Sequence, residues 1–338
     1  MIWIIFFNLI TNFLFSERAN LVEMAIEKLN SIGVVVVSVT SDNPSSNWSM
    51  FNQLGARLHD KTPKVSLNVK NIMDIPVFVT LDACHLIKLV RNSIGDYISF
   101  VNADEEEINW TYIVKLCELQ NENGLHLASK LRNQHIDFSS DKMKTKLAVQ
   151  TLSKSTANAL SLCENVLKKP EFKGAKATSE FCQIFNDVFD ILNSKSKFGK
   201  GYSAPIDSES YEHLKEKFEY IEKYIHGLKM KNGHLVIEGP RKSAFLGILI
   251  TLKSFLYIYQ CYVQTRNIQY LLTYKFSQDH LGVIEDSIIF LLILVKILVL
   301  FTNYVELVEL RLLRSLNNYQ FLPFYSANFI LTLSLHSS

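Results

Sequence analysis

The apolar positions of this chain follow two different periods, one after the other. Near the start, Leu21, Met24, Ala25 and Leu29 share a face with Glu23, Glu27 and Lys28 opposite, which predicts a helix over 20–32 that Gly33 ends. Val34-Val35-Val36-Val37-Ser38-Val39-Thr40 is a continuous β-branched run, the pattern of a strand buried on both faces. Ser41 to Asn47 is loop chemistry, and a short helix is expected over 48–58. A second apolar run, Ile75-Pro76-Val77-Phe78-Val79-Thr80, leads into Asp82 and a helical pattern with Leu86, Leu89 and Val90 on one face and Lys88 and Arg91 on the other. Helix, strand, helix, strand is an α/β layer. Two strands do not make a stable sheet, so others must join them.

After a polar connection over 93–108 with the acidic run Asp104-Glu105-Glu106-Glu107, the period becomes helical and stays so. Helices are expected at 109–119, with Trp110, Ile113, Val114 and Cys117 inward, and at 142–168, capped by Asp141 and striped with Ala148, Leu152, Ala159, Cys163 and Val166. Thr178 is expected to cap the next, whose inward positions are Phe181, Ile184, Phe185, Val188 and Leu192. Residues 194–207 are rich in Ser, Lys and Gly and read as a loop. Tyr211, Leu214, Phe218, Ile221, Ile225 and Leu228 trace the cleanest amphipathic helix. Gly239-Pro240 breaks the pattern, and 243–263 is apolar nearly all round, as a helix buried among others would be. Residues 265–274 are expected to be helical, with Ser277 capping a last stretch.

Composition adds few restrictions. The 338 residues suffice for two domains, 48% are hydrophobic, and a net charge of +2 does not mark a nucleic-acid binder, although basic patches are local. Five dispersed cysteines contain no C-x-x-C pair, so neither a zinc-finger spacing nor a disulfide framework is present, as suits a reducing compartment. Both ends are unusually apolar. Residues 287–302 are apolar except for Lys296 and fall short of the roughly 20 residues that a spanning helix needs. A membrane segment there is one reading; sequence foreign to the fold is the other and the preferred one.

The chemistry centres on Asp82. A strand that delivers a carboxylate to its C-terminal end can place a metal ligand at the rim of an α/β sheet. The competing role is the helix cap, since Asp is a favoured N-cap. Local pattern alone favours the cap. His85 and Cys84 have no ligand set around them and are expected to be packed or hydrogen-bonded.

The block Val79-Thr80-Leu81-Asp82-Ala83-Cys84-His85-Leu86-Ile87-Lys88-Leu89-Val90-Arg91-Asn92 resembles the D-x-C-H-x-x-K-x-x-R-N block of P-element-type DNA transposases, which include the THAP-domain transposases. The similarity continues through Trp110-Thr111-Tyr112, Gly124 to Leu131, His135-Ile136, Leu147 to Ser153, Phe189-Asp190-Ile191-Leu192-Asn193-Ser194, Tyr270 to Tyr274 and Ser277-Gln278-Asp279-His280-Leu281, in order, over about residues 20–281. The resemblance implies an α/β plus all-α fold: a partial RNase H-like core over 19–100, a helical GTP-binding insertion over 101–263 and a return to the core over 264–282. Residues 1–18 and 283–338 are expected to lie outside it.

The resemblance makes Asp82 the second acid of a catalytic triad that holds Mg²⁺. It assigns GTP contacts to Lys130, Lys146, Ser155, Asp190 and Asn193, with Asp279 near the site. An Asp can accept two hydrogen bonds from a guanine edge, and lysines can neutralise phosphates. Gly199-Lys200-Gly201 is too short for a Walker loop, so nucleotide binding rests on the resemblance. The family's third acid, a Glu, falls at Gly282, and its first Asp is expected upstream of everything matched. One carboxylate holds Mg²⁺ poorly. The expectation is a nuclear transposase-like protein that cannot cut, with transposon-end DNA, GTP and further copies or a full-length transposase as partners. The alternatives are a GTP- or DNA-binding repressor and, further off, a membrane-associated protein.

Overall fold

The computed structural model describes residues 2–7, 15–42, 45–60, 62–124, 127–265, 268–277 and 329–334. Strand β1 (Ile2–Phe7) and helix α1 (Phe15–Ser31) precede β2 (Val35–Ser41), helix α2 (Ser45–Gln53), β3 (Ser66–Lys70) and β4 (Pro76–Leu81). The long helix α3 (Ala83–Tyr97) follows Asp82 directly. A strand β8 (Phe329–Ser334) completes a five-stranded sheet of order β3-β4-β2-β1-β8. Strands β1, β2 and β4 run parallel, while β3 and β8 are antiparallel to their neighbours.

The β-branched run at 34–40 behaves as its pattern demands. Every residue of β2 is buried, with apolar Val35, Val36, Val37 and Val39 in the core. Its polar members are satisfied across the strand pair: Ser38 Oγ and Thr40 Oγ1 lie 2.7 and 2.6 Å from Thr80 Oγ1 of β4. Leu21 and its neighbours Val22, Ile26 and Leu29 turn the inner face of α1 onto the same core.

Several expectations are corrected. The start of the chain was expected to lie outside the fold, but residues 2–7 form a strand hydrogen-bonded to β2 from Ile2↔Val35 to Phe7↔Ser41. An apolar run without charge is the composition of an interior strand. The polar connection at 93–108 instead carries the end of α3 and a hairpin of β5 (Ser99–Val101) with β6 (Glu107–Asn109), turned by Glu105 at φ 61°. Helix α4 (Thr111–Asn123) follows, then the short α5 (Asn133–Ile136). The helix expected over 142–168 is two, α6 (Thr145–Thr151) and α7 (Lys154–Ser161), because Ser153 turns extended and its Oγ caps Thr156 N–H at 3.2 Å. Asp141 is not a cap; it sits in a 3₁₀ turn and pairs with Lys144 at 3.0 Å.

Helix α8 (Lys176–Leu192) starts before Thr178, whose buried hydroxyl accepts Asn109 N–H at 2.9 Å rather than capping. Helix α9 (Tyr211–Gly227) matches its predicted face, and β7 (Lys229–Met230) joins the β5–β6 hairpin. Helix α10 (Lys242–Ile258) is buried as expected. With the turn after it, Lys242–Val263 is the one stretch among the described residues long and apolar enough to cross a bilayer, but 67% of its most apolar window is buried inside the fold, as in a core helix. Residues 268–277 are not helical as expected: Leu271 bridges Ile206, and a 3₁₀ turn, Thr273–Phe276, follows. The apolar stretch 287–302 lies outside the described residues.

What positions the first site is the packing of α10 on β4. Strand β3 covers only part of the outer edge of β4, where Val79 N–H donates to Val65 C=O at 2.8 Å. Further along, Leu81 N–H donates to Thr251 Oγ1 at 3.1 Å and Ser254 Oγ donates to Val79 C=O. Asn71 and Tyr262 are hydrogen-bonded nearby. A Thr251→Val variant keeps the shape and removes the acceptor, leaving the Leu81 amide buried and unmet. The expected cost is about 1–3 kcal/mol, read as a lower urea midpoint with an unchanged slope.

Candidate functional site

Asp42 and Asp82 leave the sheet side by side. The β2–β4 register pairs Ser41 with Leu81, and Asp82 N–H donates to Ser41 C=O at 3.0 Å. The next residue of each strand is therefore a carboxylate at the C-terminal edge of the parallel strands, the place where α/β sheets hold their chemistry.

The two acids differ in freedom. Asp82 is 5% exposed and both its oxygens are engaged. Its Oδ2 accepts His85 N–H at 2.8 Å, capping α3, and its Oδ1 accepts Ser277 Oγ at 2.8 Å. The cap role is the one its geometry displays. Asp42 is half-buried, and its Oδ1 accepts Asn47 Nδ2 at 3.1 Å. Asn47 is in turn reached by the buried Arg18 Nη1 at 3.5 Å. Burial pushes the Asp42 carboxyl up; His85 pulls it down and the neighbouring Asp82 adds to the rise. The His85 imidazole is pushed down, chiefly by burial and then by Lys88. Cys84 is buried, 3.6 Å from Ser277 Oγ, so the packed role expected for it holds.

By sequence Asp42 lies in a loop, an available carboxylate to which the resemblance gives no catalytic role. The available signal was a repeat of one pattern, a buried β-branched run followed at once by an acid, at both Asp42 and Asp82. Mg²⁺ chemistry of this type needs several hard oxygen ligands around two ions. Two carboxylates, one fully hydrogen-bonded, do not supply them, and no cluster of three His, Cys, Asp or Glu able to hold a metal exists among the described residues. Gly282 and Asp279 lie outside the described residues.

A second constellation forms where α7 meets α8. Lys154 N–H, at the start of α7, donates to Asn186 Oδ1 at 3.1 Å, and Asn186 Nδ2 donates to Asp190 Oδ2 at 3.0 Å. Asp190 is half-buried and also hydrogen-bonded by the Ser203 side chain; burial nevertheless pushes its carboxyl up. Asn193 ends α8 one turn further on. Ser155 is in the first turn of α7, beside backbone N–H groups that favour anions. Ser155, Asp190 and Asn193 thus share one region. Lys130 and Lys146 are exposed, Lys146 on α6, and no ion pair joins either to an acid among the described residues. A carboxylate that remains costly to ionise, flanked by a cationic helix start, suits a ligand that brings N–H donors and negative charge.

A mixed sheet with acids at the ends of two adjacent parallel strands, followed by a long, mostly helical segment that packs back on the same sheet, defines an RNase H-like α/β domain with a helical insertion. The comparisons agree. The family model described as "TNP-like, RNase H N-terminal domain" matches residues 2–55, and "TNP-like, GTP-binding insertion domain" matches 84–205. The latter overlaps the expected insertion over 101–205. The chain is 30% identical over 268 residues to DNA transposase THAP9 of Homo sapiens, covering 78% of this chain and 29% of that protein. It is 27% identical over 262 residues to the Transposable element P transposase of Drosophila melanogaster, covering 75% and 32%. The Drosophila P element transposase strand transfer complex superposes with a TM-score of 0.66 at 25% identity, over 78% of this chain and 57% of that one. The chain belongs to the P-element-type DNA transposase family. It spans about a third of the length of the two curated relatives.

Two predictions follow from the paired acids. Asn caps helices as well as Asp does, so Asp82→Asn should keep most of the stability and Asp82→Ala should lose about 1 kcal/mol or more, compared by thermal denaturation. For Asp42 the folded-state pKa is raised above 3.8, so ionisation opposes folding. Its contribution worsens as pH rises from 3.8 through the folded value. Asp42→Asn should therefore unfold at a higher urea concentration than wild type at neutral pH, with the gap closing in acid.

Proposed function

We propose that this chain binds a guanine nucleotide in its helical insertion and acts on DNA in the nucleus as a P-element-type protein without strand-cutting activity of its own. The observation that carries the first half is the Asp190 carboxylate, half-buried between Asn186 and Ser203 at the end of α8. Guanine offers adjacent N–H donors, and a carboxylate accepting both would recover the ionisation that burial opposes. Asn193, at the C-terminal cap of α8, would read the same edge. Ser155 and the first turn of α7 would meet the phosphates, with Lys130 and Lys146 supplying charge. Asp279 belongs to the same reading through the family resemblance alone.

The second half rests on the acids. Asp42 and Asp82 are two carboxylates where metal-dependent strand transfer uses more, and Gly282 stands where the family pattern has a Glu. Asp42, the more open of the pair, is the better candidate for a ligand role, and Asp82 shapes the site as the α3 cap. A protein that retains nucleotide and DNA recognition without cutting would occupy transposon ends or pair with an active transposase, which is how a repressor works.

Calorimetric titration tests the nucleotide site. Wild type should bind GTP in preference to ATP, and Asp190→Ala should weaken GTP binding about tenfold or more, as loss of hydrogen bonds to a charged group does. Equal, weak heats for both proteins would remove the site. In the companion assay, transposon-end DNA with Mg²⁺ and GTP should yield no strand-transfer product; product formation would overturn the inactive reading.

A further inference from the structure

The segment between Asn193 and Ser203 has a fixed shape and an unusual surface. Its ends are tied down. Ser194 N–H donates to Thr273 Oγ1 at 2.9 Å, and Ser194 Oγ donates to Ser203 C=O at 2.8 Å, closing the loop across its base. Gly199 N–H returns to Ser196 C=O at 3.0 Å. A Cβ on Gly199 would stand 2.0 Å from the Ser203 carbonyl oxygen, so only glycine fits there, and Gly201 takes φ +59°. The far anchor is braced by Lys217, which pairs with Asp187 at 2.7 Å and lies 4.7 Å from the centroid of the Tyr202 ring.

This rigid loop presents Phe198, 78% exposed, and three exposed lysines, Lys195, Lys197 and Lys200. None of the three pairs with an acid among the described residues; Lys197 Nζ lies 4.8 Å from the centroid of the Phe198 ring. An aromatic ring held in water on a pre-shaped loop contributes nothing to the core, and unpaired cations around it repel one another. Both features fit a ligand that is flat and anionic at once. The loop starts at Asn193 and ends at Ser203, which hydrogen-bonds Asp190.

We propose that the 195–200 loop is a clamp for the guanine nucleotide: Phe198 stacks on the base whose edge Asp190 reads, and Lys197 and Lys200 hold the phosphate charge. The proposal rests on the guanine site described above and adds to it the residues that cover the ligand. A loop already ordered by its own hydrogen bonds loses little entropy on closing over a ligand.

The test uses the full chain, with GTP and guanosine as probes, in calorimetric titrations. Phe198→Ala should raise the Kd for both about tenfold, the scale of one base–aromatic stack, and Phe198→Trp should restore it. The Lys197→Gln, Lys200→Gln double variant should weaken GTP by a similar factor and leave guanosine unchanged. Unfolding midpoints should not move, because these side chains are exposed. If Phe198→Ala and the double variant titrate like wild type while Asp190→Ala loses binding, the clamp is wrong and the guanine site stands. If wild type binds no GTP, both fail. If the loop variants keep GTP but lose affinity for duplex DNA, the loop is a DNA contact and the clamp is overturned.

Discussion

The structure depends on the outer edge of β4. A strand in the middle of a sheet has its backbone groups met on both sides, but β3 reaches only as far as Val79. Beyond it the Leu81 amide and the Val79 carbonyl would be buried and unmet, each costing roughly 1–3 kcal/mol. The hydroxyls of Thr251 and Ser254 take the place of the missing neighbour. They come from α10, about 170 residues later in the chain, so this edge is complete only when α10 has docked. Ser277 then reaches Asp82 across the same junction. The strand that carries the acid is thus held by residues from the far end of the chain's long excursion.

That arrangement separates two kinds of chemistry. At the strand ends, hydrogen bonds tie Asp82 into the fold and leave Asp42 the more accessible acid, braced by Asn47. Between α7, α8 and the 194–203 loop lie a half-buried carboxylate raised by burial, the start of α7 and a tied-down loop with an exposed ring. The first region is closed by its own hydrogen bonds, while the second faces solvent with an exposed loop.

The sequence revealed elements where burial imposed a period. The β2 and β4 runs, α3 and the face of α9 are legible because burial imposes their apolar period, although Arg91, expected on the polar face of α3, is fully buried against the Phe138 ring. β3, a half-exposed edge strand, and the three-residue strands β5 and β6 were not, since an edge strand need not alternate cleanly and three residues are too few to show a period. The break at Ser153 hid for a different reason. Ala148, Leu152, Ala159 and Cys163 remain buried across it, so the stripe continues although the helix does not; only Val166, expected to extend it, is exposed. In the site, Asp82 could be read as a cap from its neighbours in sequence, which is a local relation. That Asp42 stands beside it follows from the β2–β4 register, a relation between residues 40 apart that no local pattern encodes. Asp190 and Asn193 are named through family resemblance alone; the burial that raises the Asp190 carboxyl, and the partners Asn186 and Ser203 that partly offset it, emerge only from the packing of α7, α8 and the loop.

The most direct measurement of the central claim, that the helical insertion holds a guanine nucleotide independently of the acids at the strand ends, is amide hydrogen exchange on the full chain with and without GTP. The account predicts slowed exchange at 154–157 and 186–203, with β2, β4 and the start of α3 unchanged. Exchange that GTP leaves unaltered at 186–203, or alters only at the strand ends around Asp42 and Asp82, would contradict it.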